Sequence, residues 1–70
     1  MDLTAVYERD GEWIMGHVVE VPGVNTQGRS LEECRDNLRD ALREFVAARR
    51  EQAAVGDQTY RIAAEPLPPE

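Results

Sequence analysis

Apolar and polar residues alternate singly from Leu3 to Arg9, the period of a strand with one face in a core. Leu3, Ala5 and Tyr7 point one way; Thr4, Val6 and Glu8 point the other. Asp10-Gly11 follows, a dipeptide that tolerates positive φ and signals a hairpin. The return strand, Glu12 to Glu20, sets Trp13, Met15, His17 and Val19 on one face and Ile14, Gly16 and Val18 on the other. Both faces carry apolar residues, so one is expected to pack on a helix and the other to be partly covered. Pro22-Gly23 ends this strand in a turn, because proline cannot donate to a ladder and glycine accepts unusual backbone angles. Val24 to Gln27 then make a short third strand that Gly28 breaks.

The period changes at Ser30. Ser30-Leu31-Glu32-Glu33 is a capping box, in which the serine hydroxyl accepts from the Glu33 N–H and the Glu33 carboxylate reaches back. From there to about Gln52, Leu31, Cys34, Leu38, Ala41, Leu42, Phe45 and Ala48 recur at helical spacing and form one apolar stripe. Opposite it run Glu32, Asp36, Asp40 and Glu44 beside Arg35, Arg39 and Arg43, a solvated face laced by the pairs Glu32–Arg35, Asp36–Arg39 and Asp40–Arg43. Gly56 is a plausible helix stop, and Thr59 to Ala63 reads as a fourth strand. Pro66, Pro68 and Pro69 keep the tail extended.

The layout is strand, strand, strand, helix, strand. It predicts an α+β two-layer sandwich: a three-stranded antiparallel sheet covered by one long helix, with a final strand returning to the sheet (βββαβ). Residues 1–65 read as a single domain and residues 66–70 as a proline-rich tail. The chain has 70 residues, so the core is small and its stability marginal.

Charge narrows the partners. Fourteen acidic residues against eight basic ones leave a formal charge of -6, and every base is arginine. Residues 1–29 carry five acids and two arginines, residues 30–55 six and five, and residues 56–70 three and one, so no segment is basic. Nucleic-acid binders draw most of their affinity from neutralising phosphates, which disfavours direct nucleic-acid binding here. The same charge suits a basic protein partner. No apolar run reaches the roughly 18 residues of a membrane helix. The N-terminus has no signal-peptide pattern and the single cysteine cannot form an internal disulfide, so the chain reads as cytoplasmic.

Several of these features fall in a recognisable order. Tyr7-Glu8-Arg9-Asp10-Gly11 leads into Trp13-Ile14, then Val19-Glu20-Val21-Pro22-Gly23-Val24, then Thr26-Gln27-Gly28-Arg29-Ser30-Leu31-Glu32-Glu33. Across residues 3 to 50 the chain resembles the HicB-like antitoxin family, as a small protein of the UPF0150 type. It departs from that family's pattern at Val19, where proline is common, at Ser30 in place of threonine, and at Cys34 in place of alanine. The resemblance implies a partial ribonuclease-H-like fold and the masking of a small basic, RNA-cleaving, HicA-like toxin. The operator-binding domain of longer family members is not expected here.

Catalytic readings are weak. A ribonuclease-H-like nuclease needs a carboxylate mid-way along its first strand, where this chain has Ala5-Val6. Asp2, Glu8, Asp10 and Glu20 lie at strand ends and read as turn and edge residues. His17 is the only histidine, and a His17–Cys34 nucleophile pair is opposed by the place of Cys34 in the apolar stripe. His17 itself reads as packed or hydrogen-bonded. No phosphate-binding glycine loop occurs. The chain is therefore expected to be no enzyme, with no cofactor and no metal.

Partner binding is expected at Glu8, Asp10, Glu12 and Trp13 of the hairpin and at Glu20, Pro22, Gly23 and Asn25 around the next turn. Tyr7 and Trp13 are candidate anchors, although core is the first reading for Trp13. Reversing Asp2, Glu8, Glu12 and Glu20 together is expected to weaken toxin binding and spare the fold. A homodimer is the default assembly, a tetramer the next. The alternative is an orphan homo-oligomer with a structural or scaffolding role and no toxin partner.

Overall fold

The computed structural model describes residues 2–53 and 60–66. The elements run β1 (Asp2–Asp10), β2 (Trp13–Val18), β3 (Asn25–Gly28), α1 (Leu31–Ala53) and β4 (Arg61–Ala64). Four strands form one sheet in the order β3-β2-β1-β4. The first three pair antiparallel, and β4 lies parallel to β1. A parallel neighbour needs a crossover between the strands, and α1 supplies it. The expected α+β arrangement is present. The fourth strand begins later than its composition suggests, and Thr59 and the proposed stop at Gly56 lie outside the described residues.

Strand parity decides what is buried. Leu3, Ala5 and Tyr7 of β1 and Ile14 and Val18 of β2 face the helix, where Cys34, Leu38 and Leu42 meet them. Asp10 pairs with Trp13, so the hairpin loop is Gly11-Glu12 rather than Asp10-Gly11. Gly11 has φ 62°, the positive value that the primed hairpin turns require at their first central residue. Glu12 therefore belongs to the loop, and β2 ends at Val18 instead of Glu20. Beyond it the chain loops back: the Val18 N–H donates to the Val24 carbonyl at 3.0 Å, and Val21 and Val24 tuck into the core. Each buried valine contributes about 1.5–3 kcal/mol of transfer free energy.

The helix starts where the capping box places it. The Ser30 hydroxyl accepts the Glu33 N–H at 3.1 Å, and the Cys34 N–H donates to the Ser30 carbonyl at 3.0 Å. Glu32 and Glu33 sit at the positive end of the helix dipole. The helix can approach the sheet closely because two strand positions lack a side chain. A Cβ on Gly28 would lie 2.6 Å from the Cys34 backbone nitrogen, and one on Gly16 would lie 2.9 Å from the Cys34 sulfur.

Further expectations need correction. The third strand runs from Asn25 through Gly28, which pairs with Ile14, so Gly28 continues the strand rather than breaking it. Trp13 is not core: its parity turns it to the outer face of the sheet, 37% exposed. Ala48 is exposed, because the inward turn of the helix there is occupied by Phe45 and Val46 instead. His17 shares the outer face with Trp13 and is exposed. Of the three helix ion pairs, Asp40–Arg43 forms at 2.9 Å, while Arg35 and Arg39 turn toward Glu65.

Candidate protein-interaction surface

The helix covers one face of the sheet and leaves the other open. Along β2 that outer face presents Trp13, Met15 and His17, with Val19 continuing the row after the strand. Trp13, Met15 and Val19 are 37%, 38% and 55% exposed, the large exposed apolar residues among those described. Cross-strand neighbours frame the row. Asp10 pairs with Trp13, Glu8 with Met15, and Val6 with His17 on the β1 side. Gln27 pairs with Met15 and Asn25 with His17 on the β3 side. Side chains so paired stand about 5 Å apart at Cβ, so Glu8 and Asp10 are in reach of whatever covers Met15 and Trp13. Glu12 adds a third carboxylate from the hairpin loop.

The expected partner-binding residues thus fall into two groups. Glu8, Asp10 and Trp13 share the hairpin end of the face, and Glu12 lies in the adjoining loop. Glu20, Pro22 and Gly23 lie exposed at the other end of β2, and Asn25 on the far strand. Glu20 also serves the fold, since its carboxylate accepts the Thr4 N–H at 2.7 Å and the Thr4 hydroxyl at 2.9 Å. The Thr4 N–H chiefly holds the Glu20 carboxyl below the usual range; burial opposes it, and the Thr4 hydroxyl adds to the lowering. Asp2 is likewise engaged with Arg61 at 2.8 Å, which lowers the Asp2 carboxyl and raises the guanidinium. Reversing Glu20 would also remove its two hydrogen bonds to Thr4, so Glu8 and Glu12 are the cleaner positions for that test.

Three contacts were not foreseen. The Arg29 guanidinium lies over the Trp13 ring, 4.9 Å from its centroid. The Asn37 amide donates to the Gln27 carbonyl at 3.0 Å and so plugs the edge of β3. Glu65 accepts the Tyr7 hydroxyl at 2.8 Å and the Arg35 guanidinium at 3.1 and 3.3 Å, fastening the segment after β4 to the core. Burial, then Glu65, push the Tyr7 phenol up, so Tyr7 is a buried donor rather than an interface anchor. Burial pushes the Glu65 carboxyl up, yet the Tyr7 hydroxyl and Arg35 together leave it below its ordinary value. The only cue in the sequence is a lone acid directly after an apolar strand, facing an arginine column.

The same geometry separates His17 from Cys34, the pair already disfavoured as a nucleophile and base. Cys34 is fully buried beneath Gly16, whereas His17 lies on the opposite face of β2. Burial raises the Cys34 thiol, the reverse of activation. Among the described residues no three histidine, cysteine or acidic side chains are placed to hold a metal ion. No described helix is long and apolar enough to cross a membrane.

The family model described as UPF0150-like matches residues 3–55, a stretch that includes β2, β3 and α1. The chain belongs to this family. A UPF0150 protein of Thermotoga maritima is 51% identical over 41 residues, covering 56% of this chain and 55% of the relative. The chain thus spans about half the length of the curated relative it matches. No solved structure matches the chain. For this UPF0150-like chain the match takes in the hairpin, β2 and β3, the segments that build and frame the open face.

Proposed function

We propose that this chain is a protein-binding module that holds a small basic partner on the open face of its sheet, as an antitoxin of the HicB-like kind masks an RNA-cleaving toxin. The row of Trp13, Met15 and Val19 beside Glu8, Asp10 and Glu12 carries the reading. An apolar patch rimmed by polar groups marks an interaction surface, and tryptophan is a frequent anchor in such patches. The acid rim selects a cationic partner and speeds its approach. The resemblance of residues 3 to 50 to HicB-like antitoxins supports a toxin as that partner. The module acts by occlusion, not catalysis, and works in the cytoplasm, in keeping with a free buried cysteine. A homo-oligomer closed by this same face is the weaker reading, since an isologous contact would bring like carboxylates together.

A tagged pull-down should recover a small basic protein, and recovery of none would overturn the proposal. RNA cleavage by that protein should stop at equimolar wild-type chain and persist with Trp13→Ala or with Glu8→Lys/Glu12→Lys. Undiminished cleavage with the wild-type chain would overturn the proposal.

A further inference from the structure

We infer that the Trp13 ring is a seat for an arginine side chain of the partner, and that Arg29 occupies this seat in the free protein. This rests on the open sheet face being the binding surface. Arg29 lies in the junction between β3 and α1, next to Gly28, which pairs with Ile14 and so brings the junction beside Trp13. Its guanidinium stands 4.9 Å from the ring centroid, within the roughly 6 Å reach of a cation–π contact. Among the described residues it makes no ion pair, whereas Arg35, Arg43 and Arg61 each have a carboxylate within 3.1 Å. Among those residues only the ring holds it. Asp10 stands across the ladder from Trp13, and Glu12 is its chain neighbour.

A ring with carboxylates beside it is a position for a planar cation, because the ring face attracts the charge and a carboxylate can take its N–H groups. An arginine held by the ring alone on an exposed surface is exchangeable. A partner arginine that displaced it would keep the stacking and add an ion pair to Asp10 or Glu12. The partner thus presents arginine within an apolar surface that also covers Met15 and Val19.

Strand addition at the sheet edges competes poorly with this mode. Asn37 plugs β3, and β4 has an irregular register against β1 and is followed closely by Pro66.

The experiment follows the fluorescence of Trp13, the sole tryptophan, while the full chain is titrated with a short capped peptide alternating arginine and leucine. Arg29→Gln vacates the ring; Arg9→Gln removes an equal charge from the hairpin without touching it. Arg29→Gln should bind the peptide about two- to fivefold more tightly than wild type, the range an exposed cation–π contact converts to. Arg9→Gln should bind less tightly than Arg29→Gln, and a citrulline version of the peptide should not bind. Equal tightening by both variants would show bulk charge at work and overturn the seat while leaving the face intact. Absence of any peptide-induced change in all three proteins would overturn the face as well.

Discussion

Glu65→Ala removes the one carboxylate that joins Tyr7, Arg35 and the segment after β4. Tyr7 is 3% exposed, so its hydroxyl would lose its partner inside the protein, a loss of about 1–3 kcal/mol. Loss of the Arg35 contact adds little, because that pair is partly solvated. For a domain of this size about 2 kcal/mol lowers Tm by on the order of 10 °C. Tyr7→Phe removes the donor together with its need and should cost less, about 1 kcal/mol. In the double variant the costs should fall short of their sum, since both singles break the same hydrogen bond. Urea and thermal unfolding, followed by circular dichroism and Trp13 fluorescence, read all three. The sign with pH follows from the lowered Glu65 carboxyl. Its stabilisation is complete above the unfolded value near 4.5 and drains as pH falls through the depressed folded value, so wild type and Glu65→Gln should converge in acid. Tyr7 works at the other end: its raised phenol stabilises fully below pH 10 and the effect is lost as pH rises beyond. Additive costs, or a Glu65→Ala variant within about 0.5 kcal/mol of wild type, would refute the latch.

Other perturbations probe other parts of the fold. Gly28→Ala drives a Cβ into helix backbone at 2.6 Å and should cost about 1–3 kcal/mol in urea unfolding, more than an alanine at exposed Gln27. Ser30→Ala removes the helix cap and should cost about 1 kcal/mol by the same assay. Asn37→Ala unplugs the β3 edge; it should change stability little but raise light scattering at high protein concentration. Cys34 should resist thiol reagents in the native protein and react on unfolding, and a fast native reaction would contradict its burial.

The sheet and helix were legible because their signals are local. Alternation at Leu3, Ala5 and Tyr7 fixes the buried face of β1, and Ser30 with Glu33 marks the helix start. β2 was legible in parity but not in orientation, since both of its faces carry apolar residues. Gly16 settles it: the face that lacks a side chain is the one the helix can approach, and Trp13 goes to the outside. Hairpin acids near Trp13 were foreseen for the same local reason. What escaped depends on contacts between distant positions. Glu65 reaches Tyr7 across 58 residues and Glu20 reaches Thr4 across 16, so neither role has a periodic trace. Arg29 meets Trp13 only because β3 pairs with β2.

Side-chain oxidation by hydroxyl radicals tests the central claim most directly. The full chain would be labelled alone and in the complex expected to form with a small basic protein recovered by tagged pull-down. Trp13 and Met15 should be labelled in the free chain and protected in the complex, while Tyr60, on the helix-facing side, changes little. Equal labelling of Trp13 and Met15 in both states would contradict the open sheet face as the binding surface.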